Sequence, residues 1–322
     1  MALSSPSALV IRLDAIGDAL ALVPLLAALR DAAIPTDLVL RGANARIFSS
    51  RAARATYVAP FALRSNTREN LRSIAEFGAA LAGNSYTHVL VATEDPGGYR
   101  LAKAIGAPER VGFGNGWGKP FKSLWVRSQV NHVVIRTAGL DREAPHECEV
   151  LFKLGSSLLG DAAPARDPAR LRPLVIEHGV ARGERIAFQV TDKWERLGIP
   201  FNEVVRAMHN VRELGNIRAI APERESAYAR RIEAASGIPI ERFGELEPWK
   251  EAIAGAHVLV APDSGALHVA GMVGTPTVAV FPSVRDFALQ TARWTPWAAP
   301  ARVIRAEGAW PDRVTEAFKE LR

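Results

Sequence analysis

His257-Val-Leu-Val-Ala-Pro-Asp-Ser-Gly-Ala-Leu-His-Val-Ala-Gly-Met-Val-Gly-Thr-Pro-Thr-Val-Ala-Val-Phe281 is the stretch whose reading decides the fold class. Val258 to Val260 is a short β-branched and apolar run, the pattern of a strand buried on both faces. Asp263-Ser264-Gly265 breaks it, and Ala266 to Val273, mostly small or apolar, predicts a helix. Asp263 or Ser264 can cap that helix, Gly274 can end it, and Pro276 prevents its return. Thr277 to Phe281 is a second apolar strand, so the whole is a βαβ unit whose crossover makes its strands parallel. Its helix opens at the carboxyl end of the first strand, where open α/β sheets take their ligands. The free N–H groups and dipole of that end suit a phosphate, and His268 lies in the early turns. A capping Asp and a stray His occur in purely structural βαβ units too, so this stretch alone leaves the function open.

The same alternation recurs on either side. Upstream of the central unit, Arg185 to Val190 reads as a strand, Phe201 to Leu214 as a helix and Ile217 to Ala221 as a strand. Glu223 to Ser236 is a helix, Ile238 to Phe243 an exposed strand and Glu247 to Ala254 a helix. Downstream come a last strand at Ala301 to Ile304 and a terminal helix at Pro311 to Leu321. In the N-terminal half, Ala8 to Asp14 is a strand and Asp18 to Arg30 a helix interrupted near Pro24. The turn joining them, Asp14-Ala-Ile-Gly-Asp18, is neither a dinucleotide fingerprint nor a P-loop. Thr36 to Leu40 and His88 to Thr93 are strands; Asn70 to Leu81 and Tyr99 to Ile105 are helices.

Val111-Gly-Phe-Gly-Asn-Gly-Trp-Gly118 has no closing Lys-Ser/Thr and no clear following helix, so it predicts a flexible or substrate-lining loop. His146-Glu147-Cys148-Glu149 looks superficially like a metal cluster, but its spacing fits a helix start better. The Pro-, Ala- and charge-rich run Asp161 to Pro173 is the natural linker. The reading is therefore α/β, two Rossmann-like βαβ domains. Their expected extents are 1–165 and 174–305, with 306–322 a terminal helix that can pack back on the N-terminal domain.

The chain has 322 residues, 48% hydrophobic and 23% charged, an ordinary globular composition with ample core. Its formal net charge of +6 favours anionic partners: nucleic acid, lipid headgroups or phosphorylated substrates. Cys148 is the single cysteine, which excludes an internal disulfide and argues against a cysteine-based zinc site. No signal peptide is evident at the N-terminus, and no apolar run approaches the roughly 20 residues that span a bilayer, so the expected place is the cytoplasm, with any membrane contact peripheral. Arg41, Arg46, Arg51, Arg54, Arg64, Arg68 and Arg72 share their span with Glu69 as its one acid. That is either a solvated basic surface or a cradle for a multiply anionic acceptor, since guanidinium forks match phosphate and carboxylate. Aromatic residues are too sparse there for a single-strand stacking platform, so nucleic acid is not an expected partner.

Two segments, Leu9-Val-Ile-Arg-Leu-Asp-Ala-Ile-Gly-Asp-Ala-Leu-Ala-Leu-Val-Pro24 and Asp263-Ser-Gly-Ala-Leu-His268 with Gly274 to Phe281, together resemble glycosyltransferase family 9, the ADP-heptose:lipopolysaccharide heptosyltransferases. Weaker echoes are Arg110-Val-Gly-Phe113, His146-Glu147 and Lys193-Trp194. The resemblance implies a GT-B fold, with an acceptor-binding N-terminal domain, a donor-binding C-terminal domain and a cleft between them. It also implies inverting, metal-independent heptose transfer from ADP-heptose to the inner core on Kdo–lipid A, with no cofactor.

By that resemblance Asp18 is the general base, a role inverting transfer requires; the competing reading of Asp18 is a helix cap. Lys193 would meet the donor phosphates and stabilise departing ADP. Asp263 and His268 would lie in the sugar-nucleotide pocket, with Ser264, Gly265 and Ala266 offering N–H groups to the diphosphate. Glu223, or its close rival Glu225, would accept from the ribose hydroxyls. Arg64, Arg68 and Arg72 are acceptor candidates by position and charge. The expected partners are thus a nucleotide sugar, an anionic glycolipid and the cytoplasmic face of the inner membrane. The chain departs from the family pattern at Gln189-Val-Thr-Asp192, Ala221-Pro222 and Phe281-Pro-Ser-Val284, loops that would surround the donor. Another sugar donor or glycan acceptor, or a non-catalytic GT-B protein that binds glycolipid, are the alternatives.

Overall fold

A computed structural model describes residues 5–136 and 144–321. The chain divides into two compact units: Met1–Asp141 with Glu147–Ala165, and Arg142–His146 with Arg166–Arg322. Each is built on a six-stranded parallel sheet.

In the first unit the strands are β1 (Ala8–Arg12), β2 (Thr36–Leu40), β3 (Ala55–Val58), β4 (His88–Val91), β5 (Glu109–Gly114) and β6 (His132–Ile135). They lie in the order β3-β2-β1-β4-β5-β6, with Ala8 opposite Thr36 on one side and His88 on the other. The second unit holds β7 (Ile186–Gln189), β8 (Ile217–Pro222), β9 (Ile240–Phe243), β10 (Val258–Pro262), β11 (Thr277–Pro282) and β12 (Ala301–Ala306). Their order is β12-β11-β10-β7-β8-β9, the same topology repeated. In both units the strand order reverses beside the first strand, between β1 and β4 and between β7 and β10. Such a switch point, at the carboxyl ends of the strands, is where a doubly wound sheet leaves a crevice for a ligand.

The central βαβ unit forms as its sequence predicts. β10 and β11 are buried throughout, and the helix Gly265–Val273 joins them. Gly274 ends that helix at φ 80°, where a side chain would be strained, and the Cβ it lacks would lie 2.7 Å from Pro168.

Four expectations change. The terminal helix, Trp310–Lys319, belongs to the second unit: Trp310, Val314 and Phe318 enter its core, and Asp312 pairs with Arg206 of the helix Phe201–Leu214. The indole of Trp310 stacks on Trp194, which stacks on Phe188. The linker is shorter than 161–173, because residues 166–173 already pack on the second unit. Asp167 caps a turn of helix there, Leu171 is buried, and Arg172 donates to the carbonyl of Val273. His146 is also part of the second unit, stacked on Trp297 and hydrogen-bonded to the carbonyl of Thr295 at 2.8 Å.

The fourth change is at Val111–Gly118, which is not a loop throughout: its first half is β5. Gly112 is there for packing, since a Cβ would meet the Tyr99 ring at 2.7 Å. The Tyr99 hydroxyl donates to the carbonyl of Phe113 and accepts from its N–H, locking the helix Pro96–Ile105 to the sheet. A helix, Pro120–Arg127, does follow.

Candidate active site

Of the sequence-predicted residues, Asp18 follows a strand at the first switch point, and Lys193, Asp263, Ser264 and His268 follow strands at the second. In the first unit, β1 ends in Arg12, which is buried although charged. Its Nε donates to the carbonyl of Asp18 at 3.1 Å and its Nη1 to the carbonyl of Ala92, just beyond β4. The guanidinium thereby ties the turn after β1 to the strand across the switch point. It lies 3.4 Å from Asp14, 4.0 Å from Asp18 and 3.9 Å from the buried carboxylate of Glu147. Glu147 takes a second guanidinium, Arg136, at 2.8 Å, and Arg136 continues to Glu94, which also holds Lys122 at 3.0 Å. These cations hold the Glu94 carboxyl below its ordinary range even though burial pushes the other way.

Asp18 caps its helix from within, as the third residue of Ile16–Leu20. One carboxylate oxygen accepts the Ala15 N–H at 3.2 Å, as a cap on the helix Ile16–Leu20. The side chain nonetheless keeps 34% of its surface exposed, so it does not point into the packed interior. The neighbouring Asp14 has one buried carboxylate oxygen that accepts no hydrogen bond, with Arg12 as its closest cation.

The three candidate arginines differ. Arg64 follows β3 at φ 54° and its N–H donates to Asp95, which also caps the helix Pro96–Ile105. Arg68 opens the helix Arg68–Ala82. Both are exposed, and neither forms an ion pair among the described residues. Arg72 is already engaged by Glu76 on the next turn at 2.7 Å. Upstream in the same basic run, Arg54 is bound at 2.7 Å to buried Asp37, an acid on β2 outside that run.

In the second unit, Lys193 opens a short helix, Lys193–Arg196, immediately after β7. Thr191 accepts the Lys193 N–H, Glu225 accepts that of Asp192, and Trp194 anchors the turn from below through its indole N–H to the carbonyl of Gln189. Lys193 is half-buried and forms no ion pair among the described residues. Glu225 is thus committed to holding this loop, whereas Glu223, exposed at the end of β8, is the freer of the two carboxylates.

Across the switch point, Asp263 follows β10 and accepts from Gln290 at 2.9 Å. Ser264 is the extended residue before the helix Gly265–Val273, and its hydroxyl oxygen is buried without a hydrogen-bond partner. The first N–H groups of that helix have no acceptor within it. His268, one turn on, is buried against Trp294 with ring centroids 5.4 Å apart. Burial pushes its pKa down to about 4; Asp263 opposes that shift and Lys193 adds to it. Asp263 and Lys193 both lie near enough to His268 to act on its charge. The imidazole is neutral at pH 7.

Sequence reasoning assigned no role to Arg12, Glu147, Arg136, Gln290 or Trp294. Arg12 carries its own signal, an arginine inside an otherwise apolar strand. Gln290 and Trp294 lie on the helix Phe287–Trp294, whose sequence shows no strong amphipathic pattern.

The repeated doubly wound sheets are thus joined by a lysine without an ion pair among the described residues beside a helix start at one switch point, and a part-exposed carboxylate at the other. Solved structures share the whole fold. A Veillonella parvula family 9 glycosyl transferase is 16% identical, with a TM-score of 0.73, covering 100% of this chain and 98% of its own. The Escherichia coli heptosyltransferase WaaC with ADP is 20% identical, TM-score 0.72, covering 98% and 100%. E. coli ADP-heptose lps heptosyltransferase II is 16% identical, TM-score 0.71, covering 98% of each. No curated protein sequence matches the chain. The fold is GT-B, as in these structures.

Residues 201–320 match the model of glycosyltransferase family 9 (heptosyltransferase). Asp263 to His268 lie inside the matched residues, and Lys193 and Asp18 lie before them.

Proposed function

We propose that the protein transfers a heptose from ADP-heptose to the anionic inner core of lipopolysaccharide, with inversion and without a metal ion. The observation that carries this reading is the cationic, hydrogen-bond-donating switch point of the second unit. There an unpaired Lys193 and the open N-terminus of the helix Gly265–Val273 flank a buried, unsatisfied Ser264 hydroxyl. A nucleoside diphosphate supplies the anion that such a site lacks. WaaC, with the same fold, binds ADP.

The chemistry then distributes over named groups. The acceptor hydroxyl attacks the anomeric carbon as the bond to the diphosphate oxygen breaks, and Asp18 takes the hydroxyl proton. Lys193 and the N–H groups of Gly265 and Ala266 meet the negative charge that accumulates on ADP. His268, neutral, hydrogen-bonds rather than pairs with the donor, and Asp263 is oriented by Gln290 to do the same. Glu223 receives the ribose hydroxyls, and Arg64 and Arg68 receive acceptor phosphate or carboxylate ahead of Arg72. An acceptor held in a bilayer places the protein at the cytoplasmic face of the inner membrane.

The test is ADP release from ADP-heptose with a Kdo–lipid A acceptor, run beside a thermal-shift panel of ADP-, UDP- and GDP-sugars. Asp18→Asn is expected to lower kcat by roughly 10²–10⁴ while donor affinity stays within a few-fold. Failure of every nucleotide sugar to raise the melting temperature, with no ADP released, would sink the proposal. Stabilisation by a UDP- or GDP-sugar alone favours a second reading, another donor. Pro222 motivates that reading: it closes β8 where the family has a glycine-rich turn, next to Glu223. Gln189, the other departure, is turned inward to accept from Trp249 and bears on packing instead.

A further inference from the structure

The first unit carries an apolar surface that the transfer reading does not use. Trp117, Phe121 and Leu124 are 95%, 88% and 70% exposed, the three largest exposures among its big hydrophobic residues. They are not loose loop residues. Trp117 sits in the turn Gly116–Gly118, and the Ser123 hydroxyl donates to the carbonyl of Gly116 at 2.9 Å, fastening that turn to the helix Pro120–Arg127. The same helix buries Ser123 and Val126, and its Trp125 ring packs edge-on against Tyr99, so Phe121 and Leu124 are held outward by the packing of the opposite face.

The sequence of this patch carries basic charge, with Glu94 at its border paired to Lys122 and Arg136. Between Glu109 and Asp141 the sequence holds Arg110, Lys119, Lys122, Arg127 and Arg136, and no aspartate or glutamate. Rigid aromatic and leucine side chains beside lysines and arginines are the composition of an interfacial helix on an anionic bilayer, where rings settle at headgroup level. The patch also begins beside the catalytic loop's own network. Lys122, one residue from Phe121, pairs with Glu94, which leads through Arg136 and Glu147 to Arg12 and Asp18.

We propose that Trp117, Phe121 and Leu124, with the basic residues around them, are the surface by which this protein docks on an anionic lipid bilayer. A second copy of the chain fits less well. Three such side chains offer about 500 Å² of apolar surface, against about 800 Å² per partner in a stable interface, and the excess of basic residues beside them repels a second copy. A bilayer has no such threshold, because partial insertion and Coulomb attraction add.

The inference rests on the proposed membrane-held acceptor only for its purpose, and its test uses neither donor nor acceptor, so the two readings fail separately. The full-length protein is floated with vesicles of equal parts phosphatidylethanolamine and phosphatidylglycerol, and with vesicles of phosphatidylcholine alone. Binding is expected to the anionic vesicles, to weaken with salt, and to fall at least about tenfold in the triple variant Trp117→Ser, Phe121→Ser, Leu124→Ser. Lys119→Glu is expected to weaken it as well. Independently of how that variant folds, brominated lipid is expected to quench the wild type more than Trp117→Phe. Undiminished binding by the folded triple variant, equal quenching of wild type and Trp117→Phe, or no binding by the wild type overturns the proposal. So does wild-type self-association that the triple variant abolishes while vesicles stay unbound.

Discussion

His268→Asn isolates the energetic cost of placing an imidazole inside the donor site. Burial takes the histidine from an ordinary 6.5 to about 4 in the folded protein. Between those values the unfolded chain binds a proton that the folded chain refuses, so stability rises with pH across the window and is fully present above 6.5. On acidification the contribution fades from 6.5 downward and is gone below 4. A shift of that size amounts to about 3 kcal/mol in total, of which about 2 kcal/mol is lost between pH 7.5 and pH 5. Denaturant unfolding of wild type and variant at those two pH values measures it. The variant is expected to lose about 2 kcal/mol less than the wild type on acidification, whatever its stability at pH 7.5. His88 is also depressed by burial and contributes in the same window, but it is common to both proteins and cancels in the difference. The carboxylates held low, among them Glu94 and Asp37, are likewise common to both proteins. Equal pH slopes for the two proteins would refute the claim that His268 is buried in its neutral form. A ¹³C-histidine titration, assigned by the signal the variant lacks, gives the site-specific value.

Three further outcomes follow from contacts described above. Lys193→Ala is expected to lower kcat/KM for the donor by roughly a hundredfold, through loss of charge at the leaving diphosphate, while the melting temperature is unmoved because Lys193 holds no partner. Gly274→Ala is expected to cost about 1–3 kcal/mol in urea unfolding, since the new methyl meets Pro168 at a backbone φ of 80°. Glu147→Gln leaves Arg12 without one of its buried countercharges and is expected to destabilise the first unit by about 3 kcal/mol, read as a lower urea midpoint.

What the sequence made legible follows from where its signals are local. β1, β2, β4, β10 and β11 are short apolar runs buried throughout, and their helices start and stop at Gly, Pro or capping residues, so both sheets emerge from pattern alone. β3 and β6 are four-residue edge strands with no fully buried position, and sequence reading passes over both. The glycines of β5 read as flexibility because their reason, the Tyr99 ring lying on Gly112, comes from a helix earlier in the chain. The proposed donor half of the site was visible as a motif because Asp263 to His268 is contiguous. The Arg12–Glu147 pair was not: it joins residues 135 positions apart in the chain, by simple subtraction of their numbers, and a buried charge pair has no periodicity to announce it.

The same topology carries opposite chemistry at its two switch points, and the sequence differences that do this are few. After β1 the chain places Asp14 and Asp18 around a guanidinium that the sheet itself supplies. Arg12 is bonded to backbone carbonyls on both sides of the switch point, so its position is set by the fold rather than by the carboxylates. After β7 no buried cation or acid of that kind occupies the strand end; Gln189 is neutral and tied to Trp249. The charge there is Lys193, held by its backbone and left without a counterion, beside a helix start whose donors are unspent. A preorganised acid partner at Lys193 would have to be displaced before a diphosphate could bind, at a cost comparable to the pair it broke. With that position open and Glu225 committed to the backbone instead, the proposed function has Lys193 free to meet the leaving diphosphate.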